Sequence, residues 1–314
     1  MENIEIIGKS PAIKKIINLA HKVAPTDSTI LITGETGTGK ELIARTIHKL
    51  SKRSNESFIA LNCGAISESL LETELFGHKK GSFTGAINDR KGLFEEANNG
   101  TIFLDEVAEM SQSLQVKLLR VLENGEIKRI GDNETNNVNV RIIAATNKDL
   151  WQEVQKEKFR EDLFFRLSII HLHIPPLKDR KEDINPLIRH ILDKANIKNN
   201  KNIISFSDEA LAILHNYTYP GNIRELENII YRAVILTEKD VITKDDLPHN
   251  IYSKVPKLMP PDDLKDFATL EDLEKRMIEY TLTKCESNQI ETAKKLGISR
   301  TSLWRKIRKY GIVS

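Results

Sequence analysis

The chain has 314 residues, 39% of them hydrophobic and 29% charged, and a net charge of +2, the composition of an ordinary soluble protein of two or three domains. No run approaches the roughly 18 apolar residues a membrane helix needs, and the start, MENIEIIGKSP, is neither basic nor continuously apolar, which argues against a membrane protein and for the cytoplasm. Cys63 and Cys285 are too far apart in sequence to suggest a disulfide framework or a cysteine-rich metal site, whereas residues 290–310 hold seven Lys/Arg against one Glu, an asymmetry more telling than the total.

In chain order, Ile6-Ile7-Gly8 reads as a strand-like piece, and Ile13, Ile16, Ile17 and Ala20 mark one face of an amphipathic helix. Ile30-Leu31-Ile32 then reads as a buried strand that empties into Gly34-Glu35-Thr36-Gly37-Thr38-Gly39-Lys40, with a helical pattern (Leu42, Ile43, Ile47) directly after. Glycines let such a loop turn its N–H groups inward, the new helix offers its positive end, and Lys40 adds a point charge, so a nucleoside triphosphate is the expected guest. The general pattern has Ser or Thr after the lysine as a magnesium ligand, and here Glu41 stands there. The bland alternative is a glycine-rich turn without ligand, but strand, spacing, lysine and helix all coincide.

Phe58 to Leu61 reads as the next strand, tipped by Asn62-Cys63, and polar residues past buried strands of an open α/β sheet face the ligand crevice. In Glu72 to Ala86, Gly77, Gly81 and Gly85 interrupt helical periodicity and leave Ser82-Phe83-Thr84 between glycines, which predicts a protruding loop. Composition alone favours Phe83 tucked onto its own hairpin over Phe83 held out for a partner. Gly92 to Ala97 is predicted helical. Thr101 to Asp105-Glu106 is an apolar strand ending in two carboxylates; downstream of a phosphate loop, the first suits Mg²⁺ and the second can polarise a water.

Leu114 to Leu122 reads as a helix, the stretch around Gly125 and Gly131 as a hairpin, and Val140 to Ala145 as a buried strand tipped by Thr146-Asn147. The βα alternation implies a doubly wound parallel sheet. Asn147 either senses a phosphate or caps the following helix, and local sequence does not separate the two. Phe159 to Leu167 is a short helix with Arg160 and Arg166 at its ends, fit for surface salt bridges or for stabilising charge at a neighbouring subunit's nucleotide. After Pro175-Pro176 the pattern turns all-helical (184–192, 207–214, 221–236), with Arg224 in the first turn after Tyr219-Pro220-Gly221-Asn222, where a cation is favourable only beside an anion.

Residues 248–268 hold four of the ten prolines and read as a linker. Beyond it lie a helix with Leu270, Leu273, Met277, Ile278 and Leu282 on one face, a second over 289–296, a turn at Gly297-Ile298-Ser299, and a third over Arg300 to Tyr310. Ala293, Gly297, Ile298 and Leu303 suit a helix-turn-helix. Leu303, Trp304 and Ile307 are expected in its core, leaving Arg300, Thr301, Ser302 and Arg305 for base edges and Lys306, Arg308 and Lys309 for phosphates of DNA.

With these motifs in hand, the chain resembles the AAA+ activators that remodel sigma-54 RNA polymerase, the bacterial enhancer-binding proteins. The most specific segment is Glu74-Leu75-Phe76-Gly77-His78 running into Gly81-Ser82-Phe83-Thr84-Gly85-Ala86, similar to the family's Gly-Ala-Phe-Thr-Gly-Ala loop with Ser82 in place of the alanine. The resemblance implies that this loop touches the sigma factor, with Phe83 held out rather than tucked, and that Glu41 is ordinary. It implies a fold of α/β class: an AAA+ P-loop ATPase subdomain (1–175), a helical lid (176–247), the linker (248–268) and a Fis-type helix-turn-helix domain (269–314). It further implies ATP and Mg²⁺ as cofactors, Lys40 on the β- and γ-phosphates, Asp105 on Mg²⁺, Glu106 as base, and Asn62 as a restraint on Glu106. Asn147 and Arg224 look like its two sensors, and Arg160 and Arg166 like fingers reaching the next subunit of a hexameric ring built from dimers. Tyr219 stands where tryptophan is more usual. The expected partners are upstream DNA, the sigma-54 RNA polymerase holoenzyme and further copies of the chain. No receiver or sensor domain is expected within these residues, so control would come from a separate regulatory protein, expression level or a domain not included. The alternative reading is a DNA-binding regulator that works with the housekeeping sigma factor and uses its ATPase as an oligomerisation switch.

Overall fold

The computed structural model describes residues 6–83, 86–251, 270–285 and 288–312; Thr84, Gly85 and linker residues 252–268 lie outside them. The chain divides into two units, residues 1–252 and 253–314.

The first unit is built on a five-stranded parallel sheet: β1 (Ile30–Thr33), β2 (Phe58–Asn62), β3 (Thr101–Asp105), β4 (Arg141–Thr146) and β5 (Ile170–His173), in the order β2-β3-β4-β1-β5. Because side chains alternate along a strand, Ile30, Ile32, Phe103, Ile143 and Ala145 pack on one face with the helices α1 (Pro11–Val23) and α2 (Lys40–Lys49). Leu31, Ile102, Leu104, Ile142 and Ala144 pack on the other. That second face is covered by α3 (Glu68–Phe76), α4 (Leu93–Glu96), α5 (Gln112–Asn124), α6 (Leu150–Gln155) and α7 (Glu161–Leu167). Being buried on both sides, β4 carries a continuous apolar run from Ile142 to Ala145, which is why its sequence shows no alternation.

Two expectations are corrected here. Ile6-Ile7-Gly8 is not a strand: the N–H groups of Lys9 and Ser10 are taken by the Asp183 carboxylate at 2.5 and 2.7 Å instead of by a ladder. The edge strand β5 was not expected, because its residues alternate Ile170, His171, Leu172, His173; both histidine rings meet the Thr33 hydroxyl, at 2.7 and 3.1 Å.

The lid comprises α8 (Ile184–Asn199), α9 (Asp208–Asn216) and α10 (Asn222–Leu236) around its own core of Ile188, Ile191, Leu214, Leu226, Ile230 and Val234. Leu247 and Ile251 are buried in that core, so the lid runs a few residues past the expected linker start at 248.

The second unit is a three-helix domain of α11 (Leu270–Lys284), α12 (Gln289–Leu296) and α13 (Arg300–Tyr310) around Ile278, Leu282, Ala293, Leu303 and Ile307. Gly297 ends α12 at φ +65°, the left-handed turn in which glycine costs least, and Ser299 caps α13 by accepting the Ser302 N–H at 3.1 Å. Trp304 was expected in this core, yet it is 48% exposed, because Leu303 and Ile307 already fill the inward face of α13; Met277, read on the apolar face of α11, is 45% exposed.

Candidate nucleotide site and loop surface

The loop between β1 and α2 sits at the C-terminal edge of the sheet, where an open α/β fold leaves its crevice. The N–H groups of Thr36, Gly37 and Gly39 meet no acceptor among the described residues, and Gly39 turns into α2 at φ +101°. Free N–H groups at a helix start form a concavity suited to an anion. Lys40 is buried and donates to the carbonyls of Gly34 at 2.9 Å and Glu35 at 3.3 Å. Burial lowers its pKa; the carboxylates of Asp105 and Glu106 oppose that shift, and the Arg224 guanidinium adds to it. Glu41 faces away, paired with Arg45 one turn on. The Thr38 hydroxyl is bonded to the Glu35 carbonyl at 2.8 Å.

The lid closes over this loop through backbone contacts. The Ile223 N–H donates to the Gly37 carbonyl at 2.9 Å. A side chain on Gly37 would stand 2.3 Å from the Gly221 carbonyl and 3.2 Å from the Arg224 Cβ, so Arg224 lies directly against the loop. Asn222, fully buried at φ +53°, accepts the Leu177 N–H at 2.7 Å and donates to the Glu35 carboxylate at 3.0 Å and the Thr36 carbonyl at 3.1 Å. Arg180, also buried, donates to the Thr38 carbonyl at 3.1 Å. Sequence reasoning missed both, and only the run Arg180-Lys181-Glu182-Asp183 after a proline pair could have hinted at one of them.

Across the crevice the parallel register sets Asn62 opposite Asp105. The Asp105 carboxylate accepts the Glu106 N–H at 3.0 Å, and Glu106 is held at φ +54°, strain of the kind that collects at functional sites. The Asn62 side-chain oxygen accepts the Gly64 N–H at 2.8 Å. A Cβ on Gly64 would lie 2.5 Å from a Glu106 carboxylate oxygen, so this glycine, not singled out in the sequence, forms the floor under Glu106. Burial, with Asp105 and Glu106 nearby, pushes the Cys63 thiol up to about 12. Asn147 donates to the Thr36 hydroxyl at 3.2 Å, while Asp149 caps α6, which removes the capping alternative for Asn147. The loop N–H groups and Lys40 fit a triphosphate, and Asp105 offers Mg²⁺ the carboxylate it commonly takes beside phosphates.

Arg160 and Arg166 lie elsewhere. Arg160, at the start of α7, pairs with Asp162 at 2.6 Å, and Arg166 donates to the Leu122 carbonyl at 3.4 Å. Neither touches the nucleotide loop of its own chain among the described residues.

The protruding segment is rooted in a two-residue ladder, Gly77–His78 against Arg90–Lys91. It is tied to the 126–137 hairpin by the Lys79 N–H to Ile130 carbonyl and Ile130 N–H to Gly77 carbonyl bonds, both 3.0 Å. Phe83 is 44% exposed with its ring edge on His78, centroids 5.0 Å apart, so it is half tucked and half presented. The Ser82 hydroxyl is buried without a partner among the described residues, and its Cβ packs on Gly131. Gly81 begins this stretch at φ +84°, and its N–H reaches the Ala86 carbonyl at 2.9 Å.

In the second unit Arg300, Thr301, Arg305 and Arg308 are exposed on α13, and the Ser302 hydroxyl bonds its own cap, Ser299, at 2.8 Å. Lys306 and Lys309 instead reach Glu274 and Glu271 of α11, each at 2.6 Å.

A glycine-rich loop before a helix, two carboxylates on the next strand but one, and a helical lid fastened over the loop define an AAA+ P-loop ATPase fold followed by a helix-turn-helix domain. Residues 6–173 match the Sigma-54 interaction domain, residues 178–263 the AAA+ ATPase lid domain, and residues 269–310 the Fis family of bacterial regulatory proteins. The chain belongs to the sigma-54-dependent transcriptional activators. It is 48% identical over 312 residues to the Regulatory protein AtoC of Escherichia coli (strain K12), covering 98% of this chain and 68% of that protein. It is 45% identical over 302 residues to the Transcriptional regulatory protein ZraR of Klebsiella oxytoca, covering 96% of this chain and 68% of that one. Among solved structures, NtrX from Brucella abortus in complex with ADP is similar at a TM-score of 0.75 and 34% identity, over 99% of this chain and 70% of that one. No described helix is long and apolar enough to cross a membrane.

Proposed function

We propose that the chain is a cytoplasmic, ATP-driven transcription activator. Its C-terminal domain holds it at a DNA site upstream of a promoter, copies of the chain assemble as dimers and then as a hexameric ring, and residues 81–86 carry motion to the sigma-54 RNA polymerase closed complex. The observation that carries this reading is the half-exposed Phe83 on a loop rooted in the same domain as the nucleotide crevice.

In this reading Lys40 and the N–H groups of Thr36, Gly37 and Gly39 hold the β- and γ-phosphates, and Asp105 would hold Mg²⁺, which would supply charge neutralisation at the transferring phosphoryl group. Glu106 takes a proton from the attacking water as the bond to the leaving ADP oxygen breaks. Asn62 restrains Glu106 until the ring engages its target, and Asn147 and Arg224 report on the γ-phosphate to sheet and lid. Arg160 leaves Asp162, and with Arg166 reaches the next subunit's nucleotide, where an arginine stabilises transition-state charge. A separate protein supplies the controlling signal.

The test is Phe83→Ala in transcription reactions with purified sigma-54 holoenzyme and, in parallel, the housekeeping holoenzyme. ATP hydrolysis should stay near the wild-type rate while activation with sigma-54 holoenzyme is lost. Retained activation would remove the loop from the mechanism, and activation with the housekeeping enzyme alone would favour the oligomerisation-switch alternative.

A further inference from the structure

On α13 the buried pair Leu303 and Ile307, one turn apart, fixes which side of the helix faces inward. Two of the five Lys/Arg of α13 are then spoken for. Lys306 and Lys309 pair with Glu274 and Glu271 of α11, and the Tyr310 hydroxyl donates to the other Glu274 oxygen at 2.5 Å. The side that remains open carries Arg300, Thr301, Trp304, Arg305 and Arg308. In its middle sits the indole of Trp304, 48% exposed, with the Arg308 guanidinium 4.3 Å above the ring centroid. A large aromatic left half in water contributes less to folding than a buried one, and the stacked arginine limits its rotamers without covering its outer edge.

We propose that Trp304 is a base-reading residue that contacts a thymine 5-methyl group in the major groove, and that Arg308 is its positioning residue. This rests on the DNA-binding reading of the helix-turn-helix. The major groove offers one apolar group on its base edges, the thymine methyl, and an indole flanked by cations is a complementary surface for it. Trp304 lies one helical turn beyond Arg300, about 6 Å along the axis, which is close to two base-pair steps of about 3.4 Å. Arg300 at the helix start is the residue suited to a guanine edge, so the thymine belongs within about two steps of the base that Arg300 reads. The Arg308 guanidinium, held over the ring, faces the flanking phosphate. Lys306 and Lys309, expected on phosphates from sequence, are paired with α11 across the α11–α13 seam.

The experiment uses the full chain and duplexes that the wild-type protein selects from a randomised pool. Each thymine of a selected duplex is replaced in turn by deoxyuridine, which removes only the methyl group. Wild type should lose roughly fourfold in affinity at one position per half-site, the value of one buried methyl. Trp304→Ala should bind the parent duplex more weakly and be indifferent to that replacement, and Trp304→Phe should keep part of the effect. Circular dichroism of both variants confirms the fold, and the deoxyuridine series on wild type decides the matter by itself if Trp304→Ala is unfolded. If no single methyl matters to wild type, or if Trp304→Ala keeps the full methyl dependence, the assignment is overturned. A change in dimer mass for Trp304→Ala with sequence preference intact would make the ring a protein contact and equally overturn it. Failure of wild type to select any sequence would instead defeat the DNA-binding reading beneath it.

Discussion

Ile223 donates its backbone N–H to the carbonyl of Gly37 at 2.9 Å, so the first turn of the lid helix α10 is fastened to the crown of the nucleotide loop. The bond uses main-chain atoms on both sides and needs close approach, which only glycine at position 37 permits at φ +79°. Lid position and loop shape are therefore one variable, and whatever fills the loop is felt by α10 and by Arg224 on it.

Asn222 makes that coupling rigid, and Asn222→Ala should show it. The substitution leaves the buried Leu177 N–H and the Thr36 carbonyl without their partner and places alanine at φ +53°. A buried N–H left unpaired costs about 1–3 kcal/mol and a left-handed alanine about 1 kcal/mol more. We expect a loss of about 2–4 kcal/mol of stability in chemical denaturation, together with weaker ATP binding by titration. A variant as stable as wild type would mean that the seam relaxes around the gap.

Gly64→Ala probes the crevice from below. The added Cβ would lie 2.5 Å from a carboxylate oxygen of Glu106, the end of a flexible side chain that can swing aside. Stability should change by no more than about 0.5 kcal/mol. A base displaced by an ångström loses up to about a hundredfold in rate, so single-turnover hydrolysis should slow by about ten- to a hundredfold with ATP affinity retained. Unchanged turnover would detach the position of Glu106 from catalysis.

How much of this was legible beforehand depended on range. The loop from Gly34 to Lys40, the Asp105-Glu106 tip and the three C-terminal helices follow from local period and glycine placement, and they lie where expected. Asn222 meets Glu35 across 187 residues of sequence and Arg180 meets Thr38 across 142, distances over which no local pattern survives. The strand Ile170–His173 escaped because it is a short edge strand whose second face carries histidines. Trp304 was misplaced because it adjoins Leu303, and apolar character alone does not distinguish the centre of a buried helix face from its border.

The Glu95–Arg129 pair gives a pH signature. It joins α4 to the 126–137 hairpin by two bonds of 2.7 and 2.5 Å, with side chains 13% and 16% exposed. Arg129 holds the Glu95 carboxyl below its usual range of 4.5, so its contribution is fully present above that value and is lost as pH falls through the depressed folded value. After allowance for solvent screening, about 1–2 kcal/mol is expected. Glu95→Gln should lower stability by that amount at pH 7 and close the gap to wild type as pH falls well below 4.5, read by urea midpoints. A gap that persisted in acid would assign the loss to packing instead.

Ser82 sets how firmly the protruding loop lies on its neighbour. Its hydroxyl is buried without a partner among the described residues, while its Cβ abuts Gly131, where an added Cβ would come within 2.6 Å. Ser82→Ala keeps that contact and removes the orphan oxygen, which should raise stability by up to about 1 kcal/mol with ATP hydrolysis unchanged. Gly131→Ala is the opposing change: it adds the clash at φ +75° and pushes the loop away. Hydrogen exchange reads the difference at the Ser82 amide, which donates to the Lys79 carbonyl at 3.2 Å. Its protection should hold or rise in Ser82→Ala and fall in Gly131→Ala, and activation by sigma-54 holoenzyme should follow the same order. Equal protection in both variants would show that the Ser82–Gly131 contact does not anchor the loop.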